Sequence, residues 1–295
     1  MSPHRVFACL LPLLLAAPAI AGAQRDTFEE TVPLQPGGNL TIDASGGSVL
    51  LLAWDQPQVE IQARIEAPAD VDGDYGRDIV AATRIDVRTS GGAVSIRNDF
   101  SEVERRGFFD RRRTRPDVHY EIRAPRELNL DLNLDRGAGT TLRGFEGQIL
   151  MNVDRSDLNL VELSGTLRVN LENGQMQASD FNGSLTLSVD RGERAVLTRL
   201  RGSVLIEADR TNVVLRDVRL EGDSDVTIDR GDFDVELAEN LPLTIDAELS
   251  SRVDLNSDLP VTLQQSGDRF HLDLNGGGPE LRIRADRGEL RLRAN

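Results

Sequence analysis

The sequence contains no lysine; all 34 basic residues among its 295 positions are arginine. Schiff-base and lysine-nucleophile chemistry are thereby excluded. Cysteine occurs once, as Cys9, so no disulfide can form within the chain. Aromatic residues make up only 4%, and Trp54, Tyr75 and Tyr120 are the only Trp or Tyr. An outer-membrane barrel wants aromatic girdles and longer strands than this sequence supplies. His119 and His271, the histidines beyond the first few residues, have no cysteine partner and no close second histidine, so a zinc site would need distant carboxylates. No GxSxG elbow, Walker A loop, dinucleotide glycine motif or calcium nonapeptide is written anywhere. The formal net charge of -15 argues against binding nucleic acid or anionic lipid by bulk charge.

The N-terminus reads as a signal peptide over residues 1–23. Arg5 marks a basic start, Phe7 to Ile20 is apolar, and Ala21-Gly22-Ala23 supplies a small-residue cleavage pattern. The apolar run is short for a membrane span. Cys9 would leave with the peptide. Export to the periplasm or cell surface is expected, with no transmembrane segment after cleavage.

The strongest signal is a repeat. LDRG at 134–137, VDRS at 153–156, LENG at 171–174, VDRG at 189–192, ADRT at 208–211 and IDRG at 228–231 recur every 18 to 20 residues. A further copy, ADRG at 285–288, stands 57 residues beyond, which reads as three periods. A second marker, Gly147, Gly165, Gly183, Gly202 and Gly222, keeps step with the first. Between the markers apolar residues alternate with polar ones, as in Val169/Leu171, Leu187/Val189 and Val213/Leu215. That period of two is the mark of short strands with one buried face. No stretch shows a sustained helical period with caps.

One such block cannot bury its apolar face alone, but stacked blocks share a core. The expected fold is all-β, a single-stranded parallel β-solenoid (β-helix) with rungs of about 18–20 residues. A chain of antiparallel hairpins in a sandwich or barrel is the local alternative. Three parts are expected: residues 1–23 as signal peptide, 24–129 as degenerate β rungs and cap, and 130–295 as regular repeats with a C-terminal cap. Residues 70–78 and an arginine-rich stretch at 99–116 read as loops.

The Asp-Arg-Gly series invites two readings. Stacked aspartates could ligate Ca²⁺, or carboxylates could cleave a polysaccharide. As turn chemistry, Asp accepts a backbone N–H, Gly tolerates positive φ and Arg offsets the neighbouring acids. Turn chemistry is favoured, because every rung carries the motif and a reaction site needs one special rung. The arginine cluster Arg105, Arg106, Arg111, Arg112, Arg113 and Arg115 is the most unusual local feature. It is the candidate site for an anionic partner, with a solvated insertion balanced by Glu102, Glu104, Asp110 and Asp117 as the bland reading.

The segment LTIDASGGSVLLLAWDQPQVEIQARIEA at 40–67, the ladder NVDRSDLNLVELSG and the terminal NGGGPELRIRADRGELRL at 275–292 carry a family likeness. The chain resembles the bacterial DUF4097 group of putative adhesins. The resemblance implies an extended β-solenoid, often envelope-associated, and no established catalytic residues; the arginine-rich insertion departs from its pattern. The expected function is a non-enzymatic envelope or cell-surface scaffold, presenting an extended face to a polysaccharide, an envelope protein or a neighbouring copy. The alternatives are a polysaccharide lyase or hydrolase and an envelope-stress signalling accessory.

Overall fold

The computed structural model describes residues 25–71, 73–106, 114–238, 240–259 and 264–294. The signal peptide read over 1–23 and the candidate residues Arg111, Arg112 and Arg113 lie outside them. The N-terminal part runs β1 (Arg25–Pro33), β2 (Gly38–Ser45), β3 (Ser48–Trp54), β4 (Gln58–Glu66), α1 (Gly73–Ala82), β5 (Arg84–Ser90), β6 (Ala93–Asp99) and α2 (Ser101–Arg106). The middle runs β7 (Asp117–Pro125), β8 (Glu127–Asp135), β9 (Gly139–Arg143), β10 (Glu146–Asp154), β11 (Leu158–Glu172), β12 (Gln175–Asp190), β13 (Arg194–Asp209) and β14 (Asn212–Leu220). The chain ends with β15 (Ser224–Arg230), β16 (Phe233–Leu237), β17 (Leu243–Leu249), β18 (Val253–Ser257), β19 (Gln264–Ser266), β20 (Arg269–Leu274) and β21 (Glu280–Ala294).

Alternation of apolar and polar residues sets which side chains are buried, and the repeat period sets which stand side by side. Strands β8, β10, β11, β12 and β13 pair in parallel, each residue meeting its equivalent one repeat later. One interior column runs Ile96, Ile42, Leu132, Met151, Val169, Leu187, Ile206, Val226, Ile283 and Ala247, every member buried. Burying each of the larger side chains of this column stabilises by about 1.5–3 kcal/mol. Aliphatic columns of this kind fill the core with little need for aromatic rings.

The open single-stranded β-solenoid expected from the repeat is corrected by the strand pairing. β13 pairs with β14 through Arg194–Gly202 and with β15 through Leu205–Ala208. β21 likewise pairs with both β15 and β16, and β14 pairs with β16. The circuit β13–β14–β16–β21–β15 returns to β13, so the sheet closes into a five-stranded parallel β-barrel with the other strands attached. Closure follows from length: β13 and β21 have 16 and 15 residues, enough for each to serve two partners.

The 57-residue gap is corrected as well. It does not span three turns. β21 lies directly beside β15 and β16, with Ser224 opposite Leu281 and Phe233 opposite Leu290. On its other side β21 pairs with β17 and β18. The last strand is thus inserted between two earlier ones. The N-terminus does the same, since β2 lies between β6 and β8, and β3 between β7 and β9.

Two expected loops contain helices. Within 70–78 begins α1, which buries Ile79, Val80 and Ala82 and packs beside β1 and α2. Within 99–116 lies α2, started by the Asp99 carboxylate accepting the Ser101 amide at 2.9 Å. Their apolar residues are too few and too bunched to write a helical period in the sequence.

Candidate functional site

The Asp-Arg turns form one edge of the molecule. Asp135, Asp154, Glu172, Asp190 and Asp209 stand in register on successive strands. The residue after the acid takes the left-handed conformation, with φ of 54° at Arg136, 52° at Arg155, 57° at Asn173, 54° at Arg191 and 52° at Arg210. In the last two copies Gly231 and Gly288 take positive φ instead, at 139° and 134°; in these five it is the residue after the acid that makes the turn. Its amide is satisfied by the next repeat, as Arg155 N–H donates to the Glu172 carbonyl at 2.8 Å. The guanidiniums of Arg155, Arg191 and Arg210 then bridge acids of neighbouring repeats. Arg155 lies 3.0 Å from Asp135 and 2.7 Å from Asp154, and Arg210 lies 2.9 Å from Asp190 and 3.1 Å from Asp209. Its hydrogen bond to Asp190 raises the Arg210 pKa further.

A second left-handed column, Gly144, Glu162, Asp180, Arg199 and Asp217, marks another corner. Arg199 grips Asp180 with two hydrogen bonds, at 2.6 and 2.7 Å, and holds its carboxyl below the ordinary range. This column shares the repeat period, and its mixture of residue types hid it from motif reading. The glycine marker has a separate cause. A Cβ on Gly183 would collide with the Gly165 carbonyl beside it, and its φ is 142°.

Beside the acidic edge lies a cleft of about 890 Å³. Its floor is the outward face of β2, β8, β10, β11 and β12, at the column Asp43, Asn133, Asn152, Asn170 and Ser188. Asn170 donates to Asn152 at 2.8 Å, Asn152 to Asn133 at 2.9 Å, and Asn133 to Asp43 at 2.9 Å. The amides are thus fixed in one direction, and the series ends on a carboxylate. This column was missed in the sequence, although it stands two residues before each acidic marker.

The far wall comes from the insertion. Asn98, Phe100, Ser101, Glu104 and Arg115 line it. Asn98 is tied to the Ser45 carbonyl and accepts from the Tyr120 hydroxyl. The Arg115 guanidinium sits 5.2 Å from the centre of the Phe100 ring and pairs with Glu104. Of the arginine cluster, Arg115 reaches the cleft. Arg105 pairs with Glu102 on α2, and Arg106 ends that helix.

The histidines lie elsewhere. His119 shares a 2.9 Å hydrogen bond with Ser48. His271 meets Asp246 at 2.6 Å and Asp273 at 3.4 Å, and the Asp246 bond raises its pKa. Among the described residues no group of three or more His, Cys, Asp or Glu is placed to hold a metal ion. Asp86, Asp99, Asp180, Asp246, Asp273 and Glu289 all titrate below their ordinary values. Their first partners are Arg88, the Ser101 amide, Arg199, His271, Thr244 and Arg291. Of these six, Asp99 lines the cleft.

No family model matches the chain, and no curated protein matches it. Solved structures do. A putative lipid binding protein from Parabacteroides distasonis is similar at 12% identity, over 90% of this chain and 97% of that one, with a TM-score of 0.41. A putative adhesin from Bacteroides fragilis is similar at 11% identity, over 92% and 97%, with a TM-score of 0.34. A putative cell adhesion protein from Clostridium sporogenes is similar at 9% identity, over 92% and 100%, with a TM-score of 0.24. At these values the likeness brings no site residue across. Among the described residues no helix is long and apolar enough to cross a membrane.

Proposed function

We propose that this protein is an exported, envelope-associated binding scaffold of the adhesin type that acts without catalysis, with the cleft beside the Asp-Arg edge as its ligand site. The observation that carries this reading is the unbroken series Asp43, Asn133, Asn152 and Asn170, held rigid by its own hydrogen bonds along the cleft floor. Rigid, half-satisfied polar groups on a regular sheet suit recognition. The periplasm or cell surface is the proposed location, following the segment at 1–23. Membership of the DUF4097 group belongs to the same proposal, and the segments at 40–67 and 275–292 support it.

The test is retention on an isolated envelope fraction. Filling the cleft with Asn152→Trp should abolish retention of the otherwise folded protein. Equal retention of wild type and variant would defeat the cleft as ligand site. The arginine cluster Arg105, Arg106, Arg111, Arg112, Arg113 and Arg115, of which Arg115 also stands on the cleft wall, is proposed as a contact for an anionic partner. Its test is deletion of 105–115, with association to anionic vesicles as the measurement. Unchanged association would remove that role.

A further inference from the structure

The cleft floor has a chemistry narrower than polarity alone. Each asparagine amide offers two N–H donors and two acceptor lone pairs. In the column one donor of Asn152 goes to Asn133 and one acceptor position is taken by Asn170. Asn152 is left with one donor and one acceptor position, and Asn170 with one donor and two, while Asn133 gives its second N–H to Asp131 at 3.3 Å and keeps one acceptor position. Free donors and acceptors side by side match sugar hydroxyls, which both give and take a hydrogen bond. Because neighbouring strands lie about 4.8 Å apart, the five-stranded floor spans about 19 Å, and its three asparagines about 10 Å of that. An extended sugar chain repeats its hydroxyls on a similar scale.

Charge decides which sugar chain. The acids of the edge are bridged by arginines, so Asp135 and Asp154 share Arg155 and offer no free anionic rail to a cation. The floor and wall add Asp43, Asp99 and Glu104, against Arg115 as the basic residue facing them. Arg115 is itself engaged by Glu104 and Phe100. Glu104 is paired with Arg115, but Asp43 and Asp99 accept from the neutral Asn133 and Ser101, so a polyanion would meet those two carboxylates uncompensated. A floor of neutral amides asks for neutral partners.

We infer that the cleft binds an uncharged polysaccharide chain laid across β2, β8, β10, β11 and β12, with its hydroxyls hydrogen-bonded to the Asn133–Asn152–Asn170 column. This rests on the cleft being the ligand site, and it names the class of ligand.

The experiment is calorimetric titration of the exported protein with cellohexaose, maltohexaose and N-acetylchitohexaose, and with hexagalacturonate as the anionic probe. At least one uncharged oligomer should bind, more tightly than its trimer, and hexagalacturonate should bind at least about tenfold more weakly, a difference of about 1.4 kcal/mol. Asn152→Asp keeps the shape but cannot donate to Asn133, and should weaken binding by about tenfold or more on the same scale. Asn159→Asp, outside the cleft, should leave affinity unchanged. Thermal melts of both variants confirm folding. Failure of every uncharged oligomer to bind, stronger binding of hexagalacturonate, or full affinity in Asn152→Asp would overturn the inference. Envelope retention that is lost in Asn152→Trp but survives enzymatic removal of glycans would overturn the sugar ligand and leave the binding-scaffold reading standing.

Discussion

Arg155 ties two successive repeats together, its guanidinium shared between Asp135 at 3.0 Å and Asp154 at 2.7 Å, while its own backbone sits at a φ of 52°. The side chain and the backbone therefore pull in opposite directions. Exposed ion pairs contribute little, whereas a left-handed non-glycine residue costs on the order of 1 kcal/mol.

Arg155→Gly loses both ion pairs and relieves the backbone. Arg155→Ala loses both and keeps the strained conformation. The expected order of urea midpoints is wild type close to Arg155→Gly, with Arg155→Ala lowest. An alanine variant as stable as the glycine variant would show that backbone strain at this corner is negligible.

Gly183 packs against the Gly165 carbonyl with a φ that side chains avoid. Gly183→Ala should destabilise by at least about 2 kcal/mol. Ser184→Ala, the next residue and outward-facing, should stay within about 0.5 kcal/mol of wild type. Equilibrium unfolding of the two variants side by side is the check.

Thr211 and Ser156 occupy equivalent turn positions with opposite hydrogen-bond status. The Thr211 hydroxyl accepts the Gly192 amide at 3.0 Å and donates to the Asp209 carbonyl at 3.1 Å. The buried Ser156 hydroxyl has no partner among the described residues. Thr211→Val should cost about 1–3 kcal/mol by leaving a buried amide unpaired. Ser156→Ala should be neutral or stabilising. Equal losses in chemical denaturation would contradict the assignment.

His271 and Asp246 give a defined pH window. The His271 pKa is raised above 6.5 by Asp246, so its contribution is complete below 6.5 and fades as pH climbs through the raised value. The Asp246 pKa is lowered below 3.8 by His271, so its contribution is complete above 3.8 and fades as pH falls through the lowered value. The pair therefore stabilises most between about pH 4 and 6.5. The melting-temperature gap between wild type and His271→Gln should peak in that window and shrink on both sides. A gap that is flat from pH 4 to 9 would remove the pair from the account.

The regular repeats were legible because register is written twice in the sequence, by the acidic turns and by the glycines. Val169, Leu187 and Ile206 stand at matching places in their blocks, and they meet in the structure. The insertion of β21 was not legible. Its offset of 57 residues is a whole number of periods, so the spacing could not tell a distant turn from an adjacent strand. Closure into a barrel escaped for the same reason, since it depends on which partner each half of β13 and β21 takes. The cleft floor was missed. Asn152 and Asn170 keep the period, but nothing local says that Phe100 and Arg115 will stand opposite them. Only long-range pairing of β2 with β6 and β8 brings that wall into place.

The placement of β21 also sets a schedule. Strands β15 to β18 are synthesised well before the segment that separates and joins them. A chain emerging N-terminus first can complete its central repeats early. The edges of β15 and β16 that face β17 and β18 must stay open until the fifteen residues of β21 arrive. Premature docking of β17 onto β15 would shut out the tail, so assembly at that end is decided by arrival order as well as by energy.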